Sequence, residues 1–245
     1  MGQVIVVTGA GSGIGLAISR ELLRRGHDVV LAGRRADALT AAADGHPHAL
    51  PLAADVTSPD SVRDLFRVVA DTFGRVDVLV NNAGVFGPAA RIDQLGDADW
   101  RHVWETNVSG AVYCAREAST LMIGQSPPGG RIINNGSLSA HRPRPQSLAY
   151  TVTKHAVSGL TASMALDLRD HNIAVTQIDI GNAATAMTAG IGHAALQPDG
   201  SRRAESTIDA GHVATTVAHI AELPLDVAIP TITVMATAMP YAGRG

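Results

Sequence analysis

Short, unbroken runs of β-branched residues alternate with longer stretches of helical period along almost the whole chain. No other feature constrains the fold as much. Runs at 4–8, 28–32, 49–53, 78–81, 131–134, 174–179 and 231–234 read as strands. Most are continuously apolar, the pattern of strands covered on both faces. Helical periodicity falls between them, at 14–25, 36–43, 59–73, 98–123, 148–171 and 210–222. Strict alternation of this kind predicts one doubly wound parallel sheet with helices on both sides. Pro59 followed by Asp60 and Ser61 marks one helix start, and Gly26 marks a helix end. The cluster Ser126-Pro127-Pro128-Gly129-Gly130 is a loop before a strand, so 1–245 reads as a single domain.

Charge and cysteine usage exclude several classes of function. A net charge of −3 leaves no basic field for nucleic acid or an anionic membrane. No apolar run approaches the roughly 18 residues of a membrane span. The opening Met1-Gly2-Gln3 has no basic leader before the first strand, so no signal peptide is expected. The single cysteine, Cys114, sits in an apolar helical stretch and reads as packing. These features suit a reducing cytoplasm. The ten histidines lack metal-ligand spacing, and no metal site is expected.

The first strand runs into Thr8-Gly9-Ala10-Gly11-Ser12-Gly13-Ile14-Gly15, which opens the first helix. Glycines at 9, 13 and 15 let backbone N–H groups approach a pyrophosphate at the positive end of that helix. The spacing is not G-x-G-x-x-G, since Ile14 stands where the third glycine would be. An NAD site needs a carboxylate about 20 residues past the glycines to hold the ribose hydroxyls. Here the second strand ends Leu31-Ala32-Gly33-Arg34-Arg35, with glycine in that place and two guanidinium groups able to bond a 2′-phosphate. NADP(H) is the expected cofactor, with NAD(H) kept open. Tyr150 and Lys154 are four apart and share one helix face. An ammonium beside the phenol, with an oxidised nicotinamide, is expected to favour the phenolate, so that Tyr150 exchanges a proton with an alcohol or carbonyl oxygen.

Thr8, Gly9, Gly13 and Gly15, then Asn81-Asn82-Ala83-Gly84, then Tyr150 and Lys154, occur in order and cover essentially the whole chain. In these motifs the chain resembles the short-chain dehydrogenase/reductase family, in its classical branch. The resemblance implies a Rossmann-like fold and hydride transfer between a nicotinamide and a small alcohol or carbonyl substrate. It implies a tetrad of Asn107, Ser137, Tyr150 and Lys154. Ser137 bonds the substrate oxygen, with Ser139 ranked below it. Asn107 distorts its helix and holds a water on the proton path from Lys154. The implied cofactor set is Gly9, Ser12, Gly13, Ile14, Gly15, Arg34, Arg35, Asp55, Val56, Asn81, Ala83, Gly84, Tyr150, Lys154, Gly181 and Thr185. Asp55 and Val56 hold the adenine, Asn81 stiffens the sheet, and Thr185 bonds the carboxamide. The family's Pro-Gly after the sixth strand is here Ile180-Gly181, which removes a fixed φ at the entry to the next segment.

That segment, 183–206, has no strong apolar period and is expected to be a mobile flap over the site. The stretch His141-Arg142-Pro143-Arg144-Pro145 reads equally as a substrate border or as a solvated loop. Trp100 and Trp104, four apart, are expected on a buried helix face. The family implies a homotetramer or homodimer through the long helices, with the tail 239–245 near an interface. Two other functions use the same fold: a non-catalytic NADP(H) sensor, and an epimerase or dehydratase with a transient hydride step.

Overall fold

The computed structural model describes residues 2–188 and 194–241. Side chains of the first strand, β1 (Val4–Thr8), alternate between two separate apolar cores. Ile5 and Val7 enter one, Val4 and Val6 the other. Each such fully buried aliphatic side chain contributes roughly 1.5–3 kcal/mol, so both faces must be covered by helices. In chain order follow α1 (Gly13–Arg24), β2 (Asp28–Gly33), α2 (Ala36–Ala43), β3 (Ala49–Ala53), α3 (Pro59–Phe73), β4 (Val78–Asn81), α4 (Asp97–Trp104), α5 (Gly110–Gly124), β5 (Gly130–Asn135), α6 (Leu148–Asp167) and β6 (Ile173–Ile180). The chain then continues through β7 (Ala195–Leu196), β8 (Arg202–Arg203), α7 (Ala210–Glu222) and β9 (Thr231–Val234).

Seven strands form one parallel sheet in the order β3-β2-β1-β4-β5-β6-β9. Helices α1, α2 and α7 contribute to the core behind Ile5 and Val7. Helices α3, α5 and α6 contribute to the opposite one. This is the doubly wound sheet that the alternation predicts. The fully buried Arg131, at the start of β5, donates from Nη2 to the carbonyls of Leu223, Pro224 and Val227, which anchors the link from α7 to β9.

Helix α3 keeps its predicted limits, Pro59–Phe73, and is capped by Ser58, whose hydroxyl accepts the Ser61 N–H at 3.3 Å. Several other boundaries differ from the sequence reading for local reasons. The helix predicted at 98–123 is divided into α4, a π-helical turn (Glu105–Ser109) and α5. The helix predicted at 148–171 ends at Asp167; a separate 3₁₀ turn, Arg169–His171, follows and closes on Asn172 at φ 58°. Trp100 and Trp104 are half-buried, not buried: they tilt against each other at 5.8 Å near the helix surface. Within 183–206 the described residues form a 3₁₀ turn, Ala186–Thr188, and the antiparallel β7–β8 hairpin. Residues 189–193 of the expected flap, and 242–245 of the tail, lie outside the described residues. No described helix is long and apolar enough to cross a membrane.

Cys114 is fully buried in α5, and burial pushes its thiol up to about 12. Iodoacetamide at pH 8 should leave it unmodified in the native protein and label it completely in denaturant, as read by intact mass; rapid native labelling would contradict this packing.

Candidate active site

The strand order reverses between β1 and β4, so the loops leaving these strands part and open a cleft at the carboxyl edge of the sheet. Its volume is about 550 Å³. The glycine loop forms one end. Gly9 and Gly13 have φ of 67° and 55°, a region disfavoured for other residues. A Cβ on Gly15 would lie 2.3 Å from the Gly9 carbonyl oxygen and 2.5 Å from Asn82 Nδ2. The loop therefore presents bare backbone at the N-terminus of α1, where Ser12 is an extended N-cap without a side-chain cap bond. Ile14 lines the same wall. Thr185 closes over it, its methyl 3.4 Å from where a Cβ on Gly13 would lie.

Arg34 and Arg35 are exposed at the cleft, and neither makes an ion pair among the described residues. Asp55 and Val56 also line it, with Asp55 Oδ1 accepting from the Thr57 N–H at 2.9 Å and hydroxyl at 2.8 Å. Two expected members do not line the cleft. Asn81 is buried in β4, where Nδ2 donates to the Ala111 carbonyl and to Asn134 Oδ1, both at 3.1 Å. It ties the sheet to α5. Gly181 packs behind the wall, where a Cβ would lie 2.7 Å from Met235 Cβ. Ile180, in the place of the family's proline, simply extends β6 and pairs with Val234.

Tyr150 and Lys154, one turn apart on α6, form the other end of the cleft with Ala83 and Gly84. Lys154 Nζ sits 5.5 Å from the Tyr150 ring centroid and donates to the Asn135 carbonyl at 2.6 Å. The Tyr150 ring stacks on Phe86 at 4.6 Å. Ser137, just past β5, accepts the Ser139 N–H on its hydroxyl at 3.1 Å. Asn107 occupies the π-helical turn. Its Oδ1 accepts the Val85 N–H at 2.8 Å, while Nδ2 donates to the Val85 carbonyl at 2.9 Å and Thr153 Oγ1 at 3.0 Å. Its side chain thus clamps the loop after β4.

Electrostatics depart from expectation. Burial pushes the Tyr150 phenol above its ordinary value, with Ser137 and Arg144 pulling down and Asp179 pushing up. Burial also takes the Lys154 ammonium down to about 8, against the opposing pull of Asp179. The expected phenolate-favouring ammonium is thus itself weakened by desolvation.

A family model described as short chain dehydrogenase matches residues 3–195. The chain belongs to the short-chain dehydrogenase family. A 3beta-hydroxysteroid dehydrogenase of Mediterraneibacter gnavus is 36% identical over 192 residues, 76% of this chain and 68% of that protein. A closed form of serine dehydrogenase complexed with NADP+ superposes with a TM-score of 0.86 at 26% identity, covering 99% and 98% of the two chains. The 3-ketoacyl-(acyl-carrier-protein) reductase of Brucella melitensis, complexed with NADH, has a TM-score of 0.86 at 23% identity and covers 97% and 98%. It shares the fold. This short-chain dehydrogenase is accordingly an NAD(P)-dependent oxidoreductase.

Sequence reasoning missed several residues of the dehydrogenase site. Asn82 and Asn135 line the cleft and bond each other at 3.0 Å. Arg144 forms two bonds to the buried Glu205, at 3.0 and 2.6 Å, and one to Asn182 Oδ1 at 3.0 Å. The stretch left open as border or loop is therefore fastened to the segment before α7. Asp179, wholly buried in β6, was legible only as a lone acid in an apolar strand.

The native state holds the Lys154 proton more weakly than an unfolded chain, whose amine titrates near 10.5. The charged amine therefore destabilises the fold below about pH 8, and this penalty fades as pH rises toward 10.5. Lys154→Met should raise the melting temperature at pH 7 by roughly 3–6 °C, about 1–2 kcal/mol for a chain this size. The gain should shrink by pH 10; a gain independent of pH would refute the assignment.

Proposed function

We propose that this chain is an NADP(H)-preferring oxidoreductase that transfers a hydride between the nicotinamide and a small alcohol or carbonyl compound, using Asn107, Ser137, Tyr150 and Lys154. One arrangement supports the reading: the Tyr150 phenol and the Lys154 amine share one end of a cleft whose other end is the bare N-terminus of α1, and Ser137 acts on that phenol from just past β5. A dinucleotide would fit the cleft, because the glycine loop leaves bare backbone at the N-terminus of α1. The loop can close this tightly only with glycine at 15, where a Cβ would collide with the Gly9 carbonyl and the Asn82 side chain. Gly9, Ser12, Gly13, Ile14 and Gly15 would hold that pyrophosphate. Asp55 and Val56 would hold the adenine, Ala83 and Gly84 would admit the ribose, and Thr185 would bond the carboxamide. When bound, the nicotinamide supplies or accepts the hydride.

The protein's own groups handle the proton and the oxygen. Ser137 orients the substrate oxygen and donates to it as negative charge develops there. Tyr150 gives that oxygen a proton in reduction and takes it back in oxidation. Lys154 is held by the Asn135 carbonyl; there it would bond the nicotinamide ribose and return a proton to the phenol. Asn107 fixes the Val85 backbone beside them. Gly33, with Arg34 and Arg35 exposed at the rim and making no ion pair among the described residues, supports the phosphorylated cofactor over NAD(H). The neighbours' NADP+ and NADH complexes fit either cofactor. A cytoplasmic homotetramer or homodimer belongs to the same reading; Val112 and Ile123 on α5 and Val152 and Leu166 on α6 expose apolar surface that such an assembly would cover.

Aldehydes, ketones and alcohols screened by nicotinamide absorbance should reveal turnover that Tyr150→Phe lowers by about 10²–10⁴-fold. A variant as fast as wild type would sink the mechanism. Arg34→Asp should raise the Kd for NADPH at least tenfold and narrow its advantage over NADH in fluorescence titration, since a carboxylate there repels the 2′-phosphate. An unchanged ratio would remove Arg34 from the assignment.

A further inference from the structure

Behind the reacting groups lies a carboxylate that the proposed mechanism does not use. Asp179, in β6, has no exposed surface. Its Oδ1 accepts the Ser137 backbone N–H at 2.9 Å and the Gln177 amide at 2.8 Å. Its Oδ2 lies 2.8 Å from His141 Nε2. The backbone is shaped to admit it: a Cβ on Gly136 would lie 2.1 Å from Oδ1, so only glycine lets the chain before Ser137 wrap so closely onto the carboxylate. His141 is the one partner that reaches solvent, with 42% of its side chain exposed.

We propose that Asp179 is a positioning residue for the hydride-transfer site, holding Ser137 through its backbone N–H, and that His141 covers the second carboxylate oxygen from solvent. This rests on the functional reading above. A buried anion clamping the main chain at Ser137 fixes where the hydroxyl points without touching substrate. The same charge acts on the two groups of α6 that face it, Tyr150 and Lys154, and it opposes loss of a proton from each. Arg144, from the loop before α6, acts on the phenol in the opposite sense. β9, beside Asp179 in the sheet, contributes the neutral Thr233. Burial of an unpaired carboxylate is costly, and the three hydrogen bonds are what make its retention tolerable.

The decisive variant is Asp179→Asn, which keeps an acceptor for Ser137 and removes the charge. Tyr150 ionisation is followed by tyrosinate absorbance, with the same measurement on Tyr150→Phe and on the Tyr150→Phe/Asp179→Asn double variant subtracting Tyr113 and Tyr241. Removing the negative charge should move the phenol's titration to lower pH by about half a unit to one unit. With a substrate in hand, kcat should fall about tenfold while KM stays within threefold. An unmoved titration with kcat within twofold of wild type overturns the proposal. His141→Phe, a substitution at a solvent-reaching side chain, guards against a folding defect in the first variant. It should lower kcat three- to fivefold, and His141→Gln, which keeps a donor, should restore it to within twofold. Equal rates in both His141 variants and wild type would remove His141 from the arrangement. The phenol titration needs no substrate, so a wild-type protein that turns over nothing yet shows the shift would defeat the functional reading and keep the coupling of Asp179 to Tyr150.

Discussion

Thr8 at the end of β1 accepts the Asn82 side-chain amide on its carbonyl at 2.8 Å, and its hydroxyl accepts the N–H groups of Asn82 and Ala83 at 3.0 Å. Asn82 Oδ1 accepts from Asn135 Nδ2, and the Asn135 carbonyl accepts from Lys154. This seam crosses the carboxyl ends of β1, β4 and β5 and ends on α6. It links the glycine loop to the amine at the opposite end of the cleft through polar side chains and the backbone groups they bond. Sheet topology brings the strand ends together, but only the seam sets their loops at fixed spacing. Because its neutral members are mostly shielded from water, losing Thr8, Asn82 or Asn135 would leave partners unsatisfied, at a cost of about 1–3 kcal/mol each.

A second consequence of shielding is electrostatic. Tyr150 and Lys154 are both driven toward their neutral forms by the protein packed around them, while Asp179 pulls both toward keeping their protons. A phenol that keeps its proton is the form needed to donate to a carbonyl oxygen. Added positive charge beside the phenol would favour its anion instead. A nicotinamide in its oxidised form is one such charge.

The fold was legible because strand burial on two faces leaves a continuous apolar signature. The strands at Val4–Thr8 and Val78–Asn81 coincide with their predicted limits for that reason; the partly exposed edge strands at Ala49–Ala53 and Thr231–Val234 coincide with theirs as short apolar or β-branched runs. Helix interruptions were less visible. Asn107 is a poor helix former, yet nothing in its neighbours announces a π-helical turn, since the turn answers to the Val85 backbone lying 22 positions earlier. Of the site, residues in short motifs were readable. Asn135, Asp179 and Glu205 were not, because their roles come from partners distant in sequence: Lys154, Ser137 and Arg144.

The join between Arg144 and Glu205 reaches further than local packing. Burial works against the Glu205 anion, but hydrogen bonds from Arg144, Gln197 and Asn182 outweigh it and bring its pKa down to about 2. The contribution is complete above the ordinary carboxylate range and disappears only as pH falls through about 2. Enclosure of the pair also keeps mobile ions from screening it. The hairpin segment is therefore tethered to the loop preceding Tyr150 with little dependence on salt, and from mild acid upward. Any motion that admits a bulky molecule beside the phenol must either leave this tether intact or hydrate two opposite charges at once.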